Sequence, residues 1–422
     1  MKRSVTVLLA TAMLLSVASC TATNTKVTEE TSVSTETTTT ATEATTTPET
    51  SETEEVSLVT SGYLEGLKIE DNNCFLTTNS KYEKLADYVY KTAISTKFQG
   101  SIILATDDEI LFYGGPNDKT IEGKPVDPYT TYNIASCSKT LTACCVFKLI
   151  EEGKMSLDDP LVKYFPKYKA AKDVTISDML HMVSGIPDYQ NEPDKFWPDL
   201  NGREELEPML IKVVQDTYSD EEFLEMLYDA PLMFEPKSKW SYSNTNYHLL
   251  AMIVEQVSGM SFCDYLKENI FDKCGMEHAS SMKTGDETSV PYKFDALYNA
   301  GYVNSDGYSI GPRQERGDGG IHCGMADLLA FDRALFAGNI VSEGSLAEMK
   351  NWTDNYGCAL QRFTETGYGH TGSIYCYITF NGAFETEEYG RVYLILSTAG
   401  AEDMTQQKAF SAITTLFMNK FK

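Results

Sequence analysis

The stretch Ser136-Cys137-Ser138-Lys139-Thr140-Leu141-Thr142-Ala143-Cys144-Cys145-Val146-Phe147-Lys148-Leu149-Ile150, closed by Glu151-Glu152-Gly153, carries the reading of the fold. Over residues 137–152 apolar side chains fall on nearly every face (Leu141, Cys144, Cys145, Phe147, Leu149, Ile150). That is the pattern of a buried helix, and Gly153 supplies its stop. Such a helix needs packing partners on every side. On the N-terminal side, residues 80–96 read as a helix, with Leu85, Tyr88, Val89 and Ala93 at helical spacing. Two short apolar runs follow, Ser101–Ala105 and Glu109–Tyr113, around the turn Thr106-Asp107-Asp108, which is a hairpin signal. On the C-terminal side, the chain is helix-rich over about 155–340, with long loops around 188–212 and 283–318. It then returns to strands at Ile374–Phe380 and Arg391–Ser397, followed by a helical 403–420. Strands at both ends of a helical middle predict an α/β chain of the α+β kind. One antiparallel sheet is built from both chain ends and flanked by helices, with an all-helical region inserted.

The 422 residues carry 42% hydrophobic and 11% aromatic side chains, enough for a sizeable core. The formal charge of −26 excludes a phosphate-reading surface, because nucleic-acid binding needs clustered Lys and Arg. No basic run occurs after residue 3. Lys2 and Arg3 followed by the apolar Val5–Val17 form an export signal over residues 1–19, too short for a comfortable membrane span. It ends at Val17-Ala18-Ser19-Cys20, which resembles the lipobox of bacterial lipoproteins. That resemblance implies cleavage before Cys20, lipid on its thiol, and an extracytoplasmic protein held at the cell membrane by its anchor alone. An ordinary signal peptide with a chance Cys is the alternative.

Residues 20–57 read as a tether: from 21 to 57, sixteen residues are Thr and eight are Glu, with no aromatic to offset the entropy of ordering. The folded region is expected over 58–422. Removing Cys20 leaves nine of ten cysteines, an odd number with no C-x-x-C spacing, so neither a zinc site nor a disulfide framework is indicated.

Ser136 and Lys139 stand at i and i+3, which on a helix share a face, so the amine can sit beside the hydroxyl. A serine hydroxyl is a poor nucleophile without an adjacent base, and a buried lysine amine can serve as one. The spacing alone is weak evidence, since Ser280-Ser281-Met282-Lys283 repeats it. Tyr-x-Asn likewise occurs three times, at Tyr189, Tyr242 and Tyr302, and Thr-Gly follows both Lys283 and His370. A phenol at such a position can relay a proton and an amide can grip a substrate amide. Setting selects among the copies. Ser136 opens the buried helix, and Tyr242 precedes a clear helix, His248–Val257, closed by Gly259. His370-Thr371-Gly372 runs toward the strand expected at Ile374–Phe380, whereas Lys283-Thr284-Gly285 runs into loop.

These motifs, taken in order, resemble the penicillin-recognising serine hydrolases: class C β-lactamases, low-molecular-weight DD-peptidases and related esterases. The resemblance covers about residues 82–418. It includes Tyr132-Asn133-Ile134-Ala135 before the serine, Glu152-Gly153-Lys154-Met155-Ser156-Leu157-Asp158-Asp159-Pro160, and Leu180-His181-Met182-Val183-Ser184-Gly185-Ile186-Pro187-Asp188-Tyr189. Gly275-Met276, Gly319-Gly320 and Met325-Ala326-Asp327-Leu328 fall in series with them.

The resemblance implies a β-lactamase/transpeptidase-like fold and a set of roles. Ser136 is the nucleophile, Lys139 helps deprotonate it, and Tyr242 passes the proton to the leaving group. Asn244 binds the acyl-side amide. Thr371, Gly372 and Ser373 line the substrate strand, with the N–H groups of Ser136 and Ser373 as oxyanion donors. His370 stands where β-lactamases of this group carry Lys, a departure that points toward peptidase or ester chemistry, with a neutral ring expected to orient the Tyr242 phenol. A plain strand-edge histidine and a core tyrosine are the simpler readings of those two positions.

His181 is read as structural. His248, His278 and His322 are isolated, so no metal and no cofactor are expected. Arg316-Gly317-Asp318 spells an adhesion tripeptide by chance. The expected activity is acyl-enzyme hydrolysis of a small-molecule or peptide substrate, foremost a D-alanyl peptide of the cell wall. An esterase, a β-lactamase and a non-catalytic penicillin-binding protein are the alternatives.

Overall fold

The computed structural model describes residues 67–70, 74–115, 126–196, 219–281, 316–374, 377–400 and 403–421. The expected export signal, Cys20, the tether, the second Ser-x-x-Lys lysine Lys283 and the Tyr302 motif all lie outside them.

Among the described residues the frame is one antiparallel sheet of eight strands in the order β1-β2-β4-β3-β11-β10-β9-β8. Strands β1 (Leu67–Glu70), β2 (Cys74–Thr77), β3 (Ser101–Thr106) and β4 (Ile110–Gly114) come from the front of the chain. Strands β8 (Gln361–Arg362), β9 (Gly367–Ile374), β10 (Tyr377–Thr386) and β11 (Gly390–Thr398) come from the end. The two halves meet where β11 pairs β3 with Leu396 opposite Ile102 and Leu394 opposite Leu104. The expected sheet from both chain ends is therefore present.

Each face of this sheet carries its own core. On one face lie helices α1 (Glu83–Ser95) and α5 (Met404–Lys420), packing Leu85, Val89, Ile413 and Phe417 against Leu104, Phe112 and Leu394. The other face is covered by the inserted helices α2 (Ser138–Glu151), α3 (Asn244–Ser258) and α4 (Met325–Phe336). Helix α2 is buried over all its residues from Ser138 to Phe147, as its apolar pattern requires. Helix α3 ends at Gly259, whose φ of +74° is the left-handed stop that glycine permits without a Cβ clash. A small three-stranded sheet, β5 (Tyr132–Asn133), β7 (Ile321–Cys323) and β6 (Ser280–Ser281), ties the start of α2 to the loop before α4.

Two expected boundaries move. Helix α3 begins at Asn244 rather than His248, because its first turn, Asn244-Thr245-Asn246, is polar in sequence yet buried in place. The strand expected over Ile374–Phe380 divides into β9 and β10, so His370-Thr371-Gly372 lies inside a strand instead of ahead of one. Gly367 and Gly369 concealed β9, since glycine weakens the strand signal. Both glycines are required by close approach: a Cβ on Gly369 would fall 2.0 Å from the Asn381 carbonyl oxygen across the β10 pairing.

Candidate active site

The nucleophile candidate is set by a turn and a strand. Ile134 leads into a single 3₁₀ turn, Ala135–Cys137, that runs directly into α2. Ala135 takes a left-handed φ of +47°, a conformation that costs a non-glycine residue roughly 1–2 kcal/mol. Its N–H is held by the buried Asn133 side chain at 2.7 Å, which fixes the bend. Strand β9 passes so close to this turn that a Cβ on Gly372 would lie 2.2 Å from the Ile134 carbonyl oxygen. Only glycine allows that approach, and it brings Ser373 beside the turn that carries Ser136. Cys137 adds a contact from its thiol to the His370 carbonyl at 3.3 Å.

Ser136 keeps partial exposure while Lys139, one turn further, is wholly buried. The Lys139 Nζ lies 3.0 Å from the Ser136 Oγ and 2.7 Å from the Asn244 Oδ1, and it also donates to the Asp318 carbonyl. The last two partners only accept, so they occupy two of the amine's positions, and the remaining side of the amine meets the Ser136 hydroxyl and the Tyr242 phenol.

The loop that supplies the Asp318 carbonyl is clamped. Thr142 on α2 donates to the Gly317 carbonyl at 2.6 Å, and Arg316 forks onto Asp220 at 2.7 and 2.8 Å. Arg316 and Asp318 are both buried, which removes the adhesion reading of that tripeptide. The Asp318 carboxylate takes a hydrogen bond from the Tyr189 phenol at 3.0 Å, and His248 Nδ1 stands 3.4 Å from its other oxygen. Tyr189 is thus a buried support behind the lysine, unlike the partly exposed Tyr242.

Tyr242 sits just before α3, with Lys139 Nζ 5.1 Å from its ring centroid. Burial pushes its phenol up, while Lys139 and hydrogen bonds with Lys139 and Ser136 pull it back. Asn244, on the first residue of α3, turns its oxygen to Lys139 and its nitrogen to Asp188 at 2.9 Å. The expectation that Asn244 faces substrate meets a side chain 5% exposed and engaged on both ends.

His370 corrects a second expectation. Its Nδ1 lies 2.6 Å from the Thr371 carbonyl, which can only accept, so the proton is on Nδ1 and Nε2 accepts from the Tyr356 hydroxyl at 3.1 Å. The ring therefore engages Tyr356 rather than the Tyr242 phenol, whose ring centroid is 6.4 Å away. Burial first, then the charge of Lys139, pushes the His370 imidazole down to about 3, so it is neutral at working pH. Thr371 gives both its N–H and its hydroxyl to Gln361, at 3.2 and 3.0 Å.

His181 is held by the Ser177 carbonyl at 2.9 Å, as a structural residue would be. Among the described residues no group of three His, Cys, Asp or Glu side chains is placed to hold a metal ion.

Ser136 and Lys139, Tyr242 and Asn244, and His370 with the other β9 residues thus converge from three separated segments. Sequence reasoning missed three partners. Asp188 stood in a quoted motif without a role, Tyr356 lies in an irregular loop, and the Asp318 contact is a backbone carbonyl with no side-chain signature.

A serine, lysine and tyrosine gathered against the edge of such a sheet can be compared with known proteins. The family model described as Beta-lactamase matches residues 98–414. The chain is 30% identical over 266 residues to Penicillin-binding protein 4* of Bacillus subtilis (strain 168), covering 59% of this chain and 54% of that protein. The chain spans about half the length of that relative. The octameric penicillin-binding protein homologue from Pyrococcus abyssi superposes with a TM-score of 0.59 at 25% identity, covering 79% of this chain and 77% of the other. The D-amino acid amidase from Ochrobactrum anthropi SV3 shares the fold, with a TM-score of 0.59 at 22% identity over 81% of this chain and 100% of the other. With a family match that takes in α2, α3 and every strand from β3 to β11, the chain belongs to the beta-lactamase family of serine hydrolases.

Proposed function

We propose that this protein hydrolyses an amide through an acyl-enzyme on Ser136, with a D-alanyl peptide of the cell wall as the foremost substrate. One observation carries the reading: Lys139 Nζ gives hydrogen bonds to two groups that can only accept, the Asn244 Oδ1 and the Asp318 carbonyl, and lies 3.0 Å from the Ser136 Oγ. There an amine lone pair takes the hydroxyl proton as the Oγ–carbon bond forms. The N–H groups of Ser136 and Ser373 would receive the developing oxyanion. As the carbon–nitrogen bond breaks, Tyr242 passes a proton to the departing amine, and a water molecule then cleaves the ester. A penicillin-binding relative and the fold of a D-amino acid amidase support an amide with a D-configured acyl side.

The neutral, doubly engaged His370 favours a second reading within the same chemistry. A fixed cation at this position would attract a substrate carboxylate, and a neutral imidazole does not. Uncharged leaving groups, as in amino-acid amides and small esters, suit such a site. Initial rates on a D-alanyl-D-alanine peptide, a D-amino acid amide, a small ester and a penicillin separate the readings. Peptide or amide turnover with a slow β-lactam supports the proposal, and penicillin hydrolysis at about 10 per second or faster overturns it.

We also propose that lipid on Cys20 holds the enzyme at the membrane, the acidic tether spacing it from the surface. Palmitate labelling that persists in Cys20→Ala would remove this part of the reading.

A further inference from the structure

Asp188 is 1% exposed and receives five N–H donors. Its Oδ1 accepts from the Gln190 N–H at 2.9 Å and the Asn191 N–H at 3.2 Å. Its Oδ2 accepts from Asn191 Nδ2 at 2.8 Å, Asn244 Nδ2 at 2.9 Å and the Asn244 backbone N–H at 3.2 Å. No lysine or arginine is among these partners, so the carboxylate is neutralised by amide dipoles alone. Asn244 is the one donor that also touches Lys139, through its other end at 2.7 Å.

An amide has two ends of similar size, and its orientation follows its hydrogen-bonding partners. With a carboxylate on one side, Asn244 must place its nitrogen there and its oxygen toward Lys139. The reverse orientation would set an NH₂ group against the amine and compete for the lone pair that Ser136 needs. We propose that Asp188 is a positioning residue for the Ser136–Lys139 pair, holding the Asn244 amide with its oxygen toward the lysine. The inference rests on the acyl-enzyme reading above and gives it one more working part. Asp188 touches neither substrate nor the reacting atoms and acts only through Asn244.

The other titratable groups facing this amine come from separate elements. Asp318 has its carboxylate on Tyr189 and beside His248, Tyr242 precedes α3, Tyr247 on α3 has its ring centroid 6.0 Å from the amine, and His370 lies on β9 with its ring on Tyr356. Asp188 contributes a buried negative charge to this group. Burial holds its carboxyl above the usual carboxylate range, partly offset by the hydrogen bonds from Asn191, Gln190 and Asn244.

The test is the rate at which a fluorophosphonate acylates Ser136, followed against pH in the full chain and in Asp188→Asn. In the variant the amide can turn, so acylation should slow by roughly tenfold or more, the scale for losing a group that orients a catalytic one. The rise of the rate with pH should also begin at lower pH, because a buried negative charge near the Ser136–Lys139 pair is gone. A purely structural Asp188 would change the melting temperature and leave that rise in place, and this result overturns the inference. If Asp188→Asn does not fold, Asn244→Leu deletes the amide through which the carboxylate acts and must slow acylation of Ser136 by a similar factor. An unchanged rate there overturns it too. Failure of the acyl-enzyme reading itself is distinct, since it appears as no label at all on Ser136 in the unmutated chain.

Discussion

The Tyr356 hydroxyl lies 3.1 Å from His370 Nε2, and this bond decides what the histidine is. With Nδ1–H on the Thr371 carbonyl, both ring nitrogens are engaged within the protein. Tyr356→Phe should leave Nε2 buried without a donor and cost about 1–3 kcal/mol of stability. Thermal unfolding measures this. A variant that melts with the unmutated protein would mean the phenol does not hold the ring. The neutral ring carries a further sign. The unfolded chain binds a proton near pH 6.5 that the folded chain refuses until about 3, so this contribution to stability is lost as pH falls below 6.5.

Tyr242→Phe removes the phenol beside Lys139 and Ser136 while keeping the ring. If the phenol carries the proton to the leaving group, turnover should fall by roughly 100-fold, the usual scale of general acid–base catalysis. Substrate hydrolysis at near-normal rate would reduce Tyr242 to a packing residue.

Asp332 on α4 is a buried carboxyl whose Oδ1 accepts from Asn381 Nδ2 at 3.0 Å, and Asn381 stands opposite His370 in the β9–β10 pairing. Burial pushes Asp332 up to about 7. The Asp332 Oδ2 and the Asn381 Oδ1 both lack a hydrogen-bond partner, and a protonated carboxyl has a hydroxyl to donate where a carboxylate has none. The folded state thus holds a proton that the unfolded chain releases near 4, so stability falls as pH rises toward and through 7. Asp332→Asn should flatten the fall in melting temperature between about pH 4 and 7. A variant with the same slope as the unmutated protein would show that Asp332 is ionised in the fold throughout.

The parts of this molecule that were legible in the chain are those written in local spacing. Ser136 and Lys139 are i and i+3 at the head of an unmistakably buried helix, and Tyr242 precedes a helix that ends on a left-handed glycine. Strands β3, β4, β10 and β11 followed from strand signals alone, whereas β1, β2 and β8 are too short to mark themselves and β9 is broken by glycines that serve close packing against Asn381 and Ile134. What could not be read were contacts made across the fold. Asp188 meets Asn244 from 56 residues away, and the Asp318 carbonyl meets Lys139 across 179. A backbone carbonyl has no letter of its own. Tyr356 lies in a loop where Asp354, Asn355 and Ala359 all take positive φ, so no period marks it.

The most direct measurement is the intact mass of the protein after incubation with a fluorophosphonate and with a penicillin, alongside Ser136→Ala. The account predicts one covalent adduct with the fluorophosphonate and a persistent acyl adduct with the penicillin, both absent from a folded Ser136→Ala. An adduct that survives Ser136→Ala, or one lost instead in Ser280→Ala, would contradict it.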